Sequence, residues 1–174
     1  MNNAETTFSN GMTLLMIALI AIVLTVAFFI RRQIKRSQYG DEYIRWGTAQ
    51  EKKKRYKDAV MCYLTAEEVY RENGDDEGRA RAFFLAGMLE SRCGNHKEAQ
   101  NYFRKAEPIA RKASKPEDLA FLLLNMGDTE AELGKKEKAK ACYSDAAEVY
   151  GKHGDQEGVL FAQDKLIEIE TEEN

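Results

Sequence analysis

Two histidines, His96 and His153, and three cysteines, Cys62, Cys93 and Cys142, are the side chains of this chain best suited to metal ligation, proton transfer or nucleophilic attack. Their spacing serves none of these. The cysteines are odd in number and stand at no zinc-ligand interval, so neither a disulfide framework nor a metal site is expected, and a reducing compartment fits them best. Each reads as a small, partly buried helix residue. His96 falls at a turn and His153 near a helix end, where solvated side chains are common. No glycine-rich phosphate loop is present, nor a nucleophile with a recognisable base. Carboxylate pairs such as Glu130 and Glu132 are what any charged helix supplies. The residues therefore argue against an enzyme and against a cofactor, a metal or a small-molecule substrate. They point to recognition of another macromolecule.

The charges say where that recognition takes place. Residues 31–60 carry ten Lys/Arg against four Asp/Glu, or +6, while residues 61–174 carry 16 against 24, or −8; with Glu5 the sum is the formal net charge of −3. One basic set is Arg31, Arg32, Lys35 and Arg36. The other is Lys52, Lys53, Lys54 and Arg55 with Lys57, suited to headgroups, to an acidic partner or to a solvated turn. With an acidic chain and no nucleic-acid-binding pattern around either set, nucleic acid is not an expected partner.

The first element that must position these residues is apolar. Met12 to Ile30 reads MTLLMIALIAIVLTVAFFI, without charge, Pro or Gly. At about 1.5 Å per residue such a helix roughly matches a hydrocarbon core of about 30 Å, so a transmembrane helix is expected over 12–30. The tail MNNAETTFSN has no Lys or Arg and the run ends in Phe28, Phe29 and Ile30, features of an uncleaved anchor and not of a secretory leader. The cluster Arg31, Arg32, Lys35 and Arg36 follows at once. Excess positive charge places that side in the cytoplasm, with the N-terminus outside, in a bacterial or archaeal plasma membrane or an organelle outer membrane. The same cluster suits anionic lipid headgroups, at about 1 kcal/mol per cation. Five segments follow: an extracytoplasmic tail over 1–11, the span over 12–30, a basic juxtamembrane linker over 31–42, repeats over 43–153, and a capping helix with an acidic tail over 154–174. Gly40 is the expected break between span and repeats.

Self-similarity sets the rest. Gly47, Gly87 and Gly127 lie 40 residues apart, as do Ala59, Ala99 and Ala139, then Tyr63, Phe103 and Tyr143, then Ala66, Ala106 and Ala146. Each unit reads as a helical hairpin whose second helix carries small and aromatic residues at i, i+4 and i+7, on one face. Gly or Ala lets two backbones approach, and the aromatic one turn away fills the gap between them. Asp75, Asp76 and Asp155 are candidate caps, and Pro116 after Ser114 and Lys115 suits the first turn of a helix. These units resemble tetratricopeptide repeats, in the longer form with a 40-residue period. The glycine of the first helix is matched three times, as is the small-aromatic-small triplet of the second. The aromatic near the start of the first helix is matched by Tyr43 and Phe83 and becomes Leu123 in the third unit, and Trp46 stands where a Leu is usual. The fold class that follows is all-α: one transmembrane helix, then a right-handed superhelix of three hairpins and a C-terminal capping helix.

The resemblance implies that first helices line an inner, concave face. It places there Ile44 and Thr48, then Arg81, Phe84 and Met88, then Phe121, Leu124, Asn125 and Asp128, and Phe161 in the last helix. This face is apolar and suits a bulky peptide or an amphipathic helix. The clamp of Lys, Asn and Arg by which some relatives hold acidic chaperone tails is missing, since the matching positions are Ile44, Thr48, Leu85, Phe121 and Asn125. The expected function is a membrane-anchored adaptor that binds a protein or peptide in its groove. A subunit of a larger membrane complex and a receptor for targeted precursor proteins are the alternatives.

Overall fold

The computed structural model describes the backbone of residues 2–112 and 115–171, and within those the side chains of all but 2–15, 32–37 and 116. Among the described residues there are seven helices and no strands: α1 Asn2–Lys52, α2 Tyr56–Asn73, α3 Asp76–Arg92, α4 His96–Ala110, α5 Pro116–Glu132, α6 Lys136–Lys152 and α7 Gln156–Thr171. The end of α1 packs on α2, α3 on α4 and α5 on α6, giving three hairpins that stack in chain order with α7 last.

The hairpins close through their glycines. A methyl group added at Gly47 would stand 2.5 Å from the ring of Tyr63, and one at Gly87 would stand 2.6 Å from that of Phe103; Gly127 meets Tyr143 in the same way. These distances are below van der Waals contact, so only hydrogen at Cα lets the rings lie flat on the backbone. Tyr63, Phe103 and Tyr143 are all buried. Asp75 and Asp155 accept hydrogen bonds from the backbone N–H of Gly78 and Gly158, at 2.8 and 2.9 Å, as caps of α3 and α7. Asp76 is instead the first residue of its helix, and Pro116 opens α5. Ser114 lies outside the described residues.

The break expected at Gly40 does not occur, because α1 runs 51 residues through it. Gly40 is needed for contact: a methyl group there would stand 2.5 Å from the ring of Tyr70, so the glycine serves packing within a helix and not its termination. Among the described residues, no helix is long and apolar enough to cross a membrane. The expected span Met12–Ile30 enters the described side chains only at Met16, and from there to Ile30 every large apolar side chain is 51–65% exposed.

Candidate functional site

The first helices of the hairpins do not present one uniform surface. Around the second junction, where α3 meets α5, the side chains of Phe84 and Phe121 meet edge to face with ring centroids 5.5 Å apart. Phe84 also leans on the buried ring of Phe103 at 5.9 Å, which fixes it from behind. Phe121 stays 48% exposed. In front of them lies a pocket of about 310 Å³, walled by Ala80, Leu85, Ala110 and Leu122 and rimmed by Glu77, Arg81, Lys115 and Asp118. Lys115 pairs with Glu77 across that rim, tying the start of α5 to the start of α3.

Arg81 is held by a network reaching back to the first hairpin. The Tyr70 hydroxyl donates to Asp41 Oδ1 at 2.7 Å, and Arg81 donates to the same oxygen at 2.5 Å and to the Tyr70 oxygen at 3.0 Å. The Tyr70 hydrogen bond, with Arg81 beside it, keeps the Asp41 carboxyl below its ordinary value against the opposing effect of burial. Burial, then the bond to Asp41, pushes the Tyr70 phenol up to about 12. Tyr70 is thus a fixed donor at neutral pH, and the guanidinium is aimed rather than free to swing.

At the other end of α5 the chemistry reverses. A second pocket of about 700 Å³ opens between the ends of α3, α5 and α7, with Asp128, Tyr143, Lys165 and Glu168 among its walls. The Tyr143 hydroxyl donates to Asp128 at 2.8 Å, and Lys165 stands 3.4 Å from Asp128 and from Glu168. Burial, reinforced by Asp128, pushes the Tyr143 phenol well above its ordinary value. Behind α5 a part-buried polar set joins the hairpins: Gln100 donates to the buried Glu130, and Lys135 donates to Gln100 at 3.2 Å and lies 3.4 Å from Glu130.

The residues expected on the inner face therefore part company. Arg81, Phe84 and Phe121 line the apolar pocket, and Asp128 lines the charged one. Leu124 is in the core at 5% exposure, and Met88 and Ile44 are partly buried against core clusters, so packing claims them. Thr48 is exposed and bonds back to the Ile44 carbonyl at 3.0 Å, Asn125 donates to the Phe121 carbonyl at 2.7 Å, and Phe161 is exposed on α7. Of the basic cluster, Arg31 is exposed; the side chains of Arg32, Lys35 and Arg36 lie outside the described residues. The sequence reading missed Leu85, Ala110, Lys115, Asp118 and Leu122 as pocket residues. A signal for one of them was present: Ala110 stands where the other hairpins carry Tyr70 and Tyr150.

The arrangement is suited to holding side chains, not to bond-making. Burial drives the Cys142 thiol up to about 11, so it is protonated at neutral pH. Among the described residues, no group of three or more His, Cys, Asp or Glu is placed to hold a metal ion.

Solved structures share this fold. The chain is similar to the apo form of RapI, with a TM-score of 0.72, 16% identity, and 79% of this chain and 38% of that one covered. It is similar to a signal transduction ATPase with numerous domains that has a tetratricopeptide repeat sensor, from Pyrococcus horikoshii, at 0.72 and 19% identity over 79% and 21% of the two chains. BtubC from P. vanneervenii aligns at 0.62 and 18% identity over 66% and 48%. At such identities the likeness concerns the fold alone, and the chain spans about a fifth to a half of the length of those proteins. No curated protein matches it in sequence. The pattern of the tetratricopeptide repeat matches residues 43–112 and 86–152, more than half of the chain and all three hairpins, and the chain belongs to that family.

Proposed function

We propose that this chain is a membrane-held adaptor that captures a protein or peptide partner on the face formed by α3 and α5. The observation that carries the reading is the phenyl-walled pocket at Phe84 and Phe121: an apolar cavity, open to solvent, backed by the buried Phe103 ring and bordered by charged side chains. Such pockets bind apolar anchors through burial and select them through a few polar groups. Repeat folds also tend to bind through extended surfaces.

Membrane attachment is supported by the apolar part of α1. A surface helix is apolar on one stripe, whereas from Met16 to Ile30 the apolar side chains point in every direction around the axis and none is covered by the hairpins. Water is a poor solvent for such a rod, and a bilayer is a good one. Arg31 at its end orients the repeats toward the cytoplasm.

Two measurements test the two halves. Cross-linking in native membranes followed by mass spectrometry is expected to lose its partner when Phe121 becomes Asn, while the half-exposed position costs less than about 1 kcal/mol of stability. Equal loss of capture and stability would make Phe121 a packing residue and overturn the groove. Alkaline washing of membranes is expected to leave the native chain in the pellet and to release Val23→Arg; release of the native chain would overturn the anchor.

A further inference from the structure

We propose that the pocket between α3 and α5 receives an aromatic side chain of the bound partner, in the space that a tyrosine of the chain itself fills at the neighbouring junctions. The inference rests on the reading above and specifies the chemistry of its ligand.

Equivalent positions of the three junctions lie forty residues apart. At the first, Tyr70 lies between Gly40 and Gly78: a methyl group at Gly40 would stand 2.5 Å from its ring, and one at Gly78 closer still. At the third, Tyr150 lies over Gly158, where a methyl group would stand 2.5 Å away. At the second, the tyrosine is Ala110 and the glycine is Asp118. Tyrosine accompanies glycine, and alanine accompanies aspartate. The pairing has a steric cause, because the Cβ of Asp118 occupies ground that a ring rooted at position 110 would need. A ring at position 110 thus cannot fill this junction.

What remains is the cavity of about 310 Å³. That lies at the small end of ligand pockets and suits one large side chain. Its two aromatic walls, the half-buried Phe84 and the exposed Phe121, are already set edge to face, so a third ring lying against the pair finds both a face and an edge, the arrangement rings prefer. Arg81 sharpens the choice. It stands forty residues after Asp41, the group that meets the Tyr70 hydroxyl at the first junction. A phenol at the second junction would therefore meet Arg81, whose Nη2 is taken by Asp41 and Tyr70 and whose remaining N–H groups can donate to the phenolic oxygen.

The test uses the full chain in nanodiscs with ¹³C-methyl-labelled alanine and leucine, titrated with N-acetyl-tyrosinamide and with N-acetyl-leucinamide. The tyrosine amide is expected to shift the Ala110 and Leu85 methyl signals saturably, and at least about threefold more tightly than the leucine amide. Ala110→Tyr alone is expected to lower the melting temperature by driving the ring into Asp118. Ala110→Tyr with Asp118→Gly, which copies the third junction, is expected to restore it and to abolish the shifts. Equal affinity for the leucine amide, no saturable shift at Ala110, or undiminished binding by the double variant would overturn the inference. If these tests fail while Phe121→Asn still abolishes partner capture, the ring-binding pocket falls and the adaptor reading stands. The reverse pattern overturns the adaptor reading instead.

Discussion

In the second hairpin Phe103 lies over Gly87, and the next helix position is Met88; in the third, Tyr143 lies over Gly127, the next position is Asp128, and the ring carries a hydroxyl that donates to it. Forty residues separate the two sites, and one hydroxyl with its acceptor appears or disappears as a unit. The first hairpin agrees by another route, since its Tyr63 hydroxyl donates to Glu51 at 3.0 Å. A buried hydroxyl left without a partner costs more than the hydrogen bond is worth, so the polar pair is kept whole or replaced whole. The consequence is local polarity. In the apolar version Phe103 backs Phe84, a wall of the apolar pocket, and in the polar version Tyr143 and Asp128 line the charged pocket with Lys165.

The harshest way to break this comparison is at the feature both hairpins share. Gly127→Ala places a methyl group in the Tyr143 ring and is expected to cost about 2–3 kcal/mol in chemical denaturation; a cost near zero would mean that the ring contact does not set the hairpin. The feature that differs comes next. Asp128→Met leaves the Tyr143 hydroxyl unmatched and is expected to cost about 1–2 kcal/mol, while adding Tyr143→Phe recovers most of it. Additive losses in that double-mutant cycle would show the two positions to be independent.

A pH series sharpens the comparison at Tyr70, whose phenol is raised to about 12 by burial and by Asp41. The folded state then binds the phenolic proton more tightly than the unfolded chain, where the value is about 10. This contribution is complete below about pH 10 and is lost as pH rises toward 12. Tyr70→Phe is expected to flatten the alkaline limb of the stability curve, and an unchanged limb would remove Tyr70 from it. The smallest effect concerns the turns. Lys54 takes φ 58° where Gly94 and Gly134 stand in the next two hairpins, so Lys54→Gly is expected to gain about 0.5–1 kcal/mol, seen as a rise in melting temperature.

The hairpins were legible in the sequence because their signals are local: glycine and aromatic one helix apart, aspartate before a helix, proline at its start. The candidate site was legible only in part. Arg81, Phe84 and Phe121, expected on a binding face, line a pocket, yet Leu124 carries the same apolar signal and is core. Hydrophobicity marks a residue for burial without saying whether protein or partner does the burying.

Gly40 shows the same division. Its type suggested a helix break, and α1 passes through it because Tyr70, thirty residues on, needs the bare backbone. The sequence by itself determined the hairpin helices after Lys52, the caps at Asp75 and Asp155 and the family, since these depend on residues within a turn or one repeat of each other. Only the tertiary structure decided which face of α3 stays open, because that depends on Ala110 and Asp118, which reach the same space from two different helices.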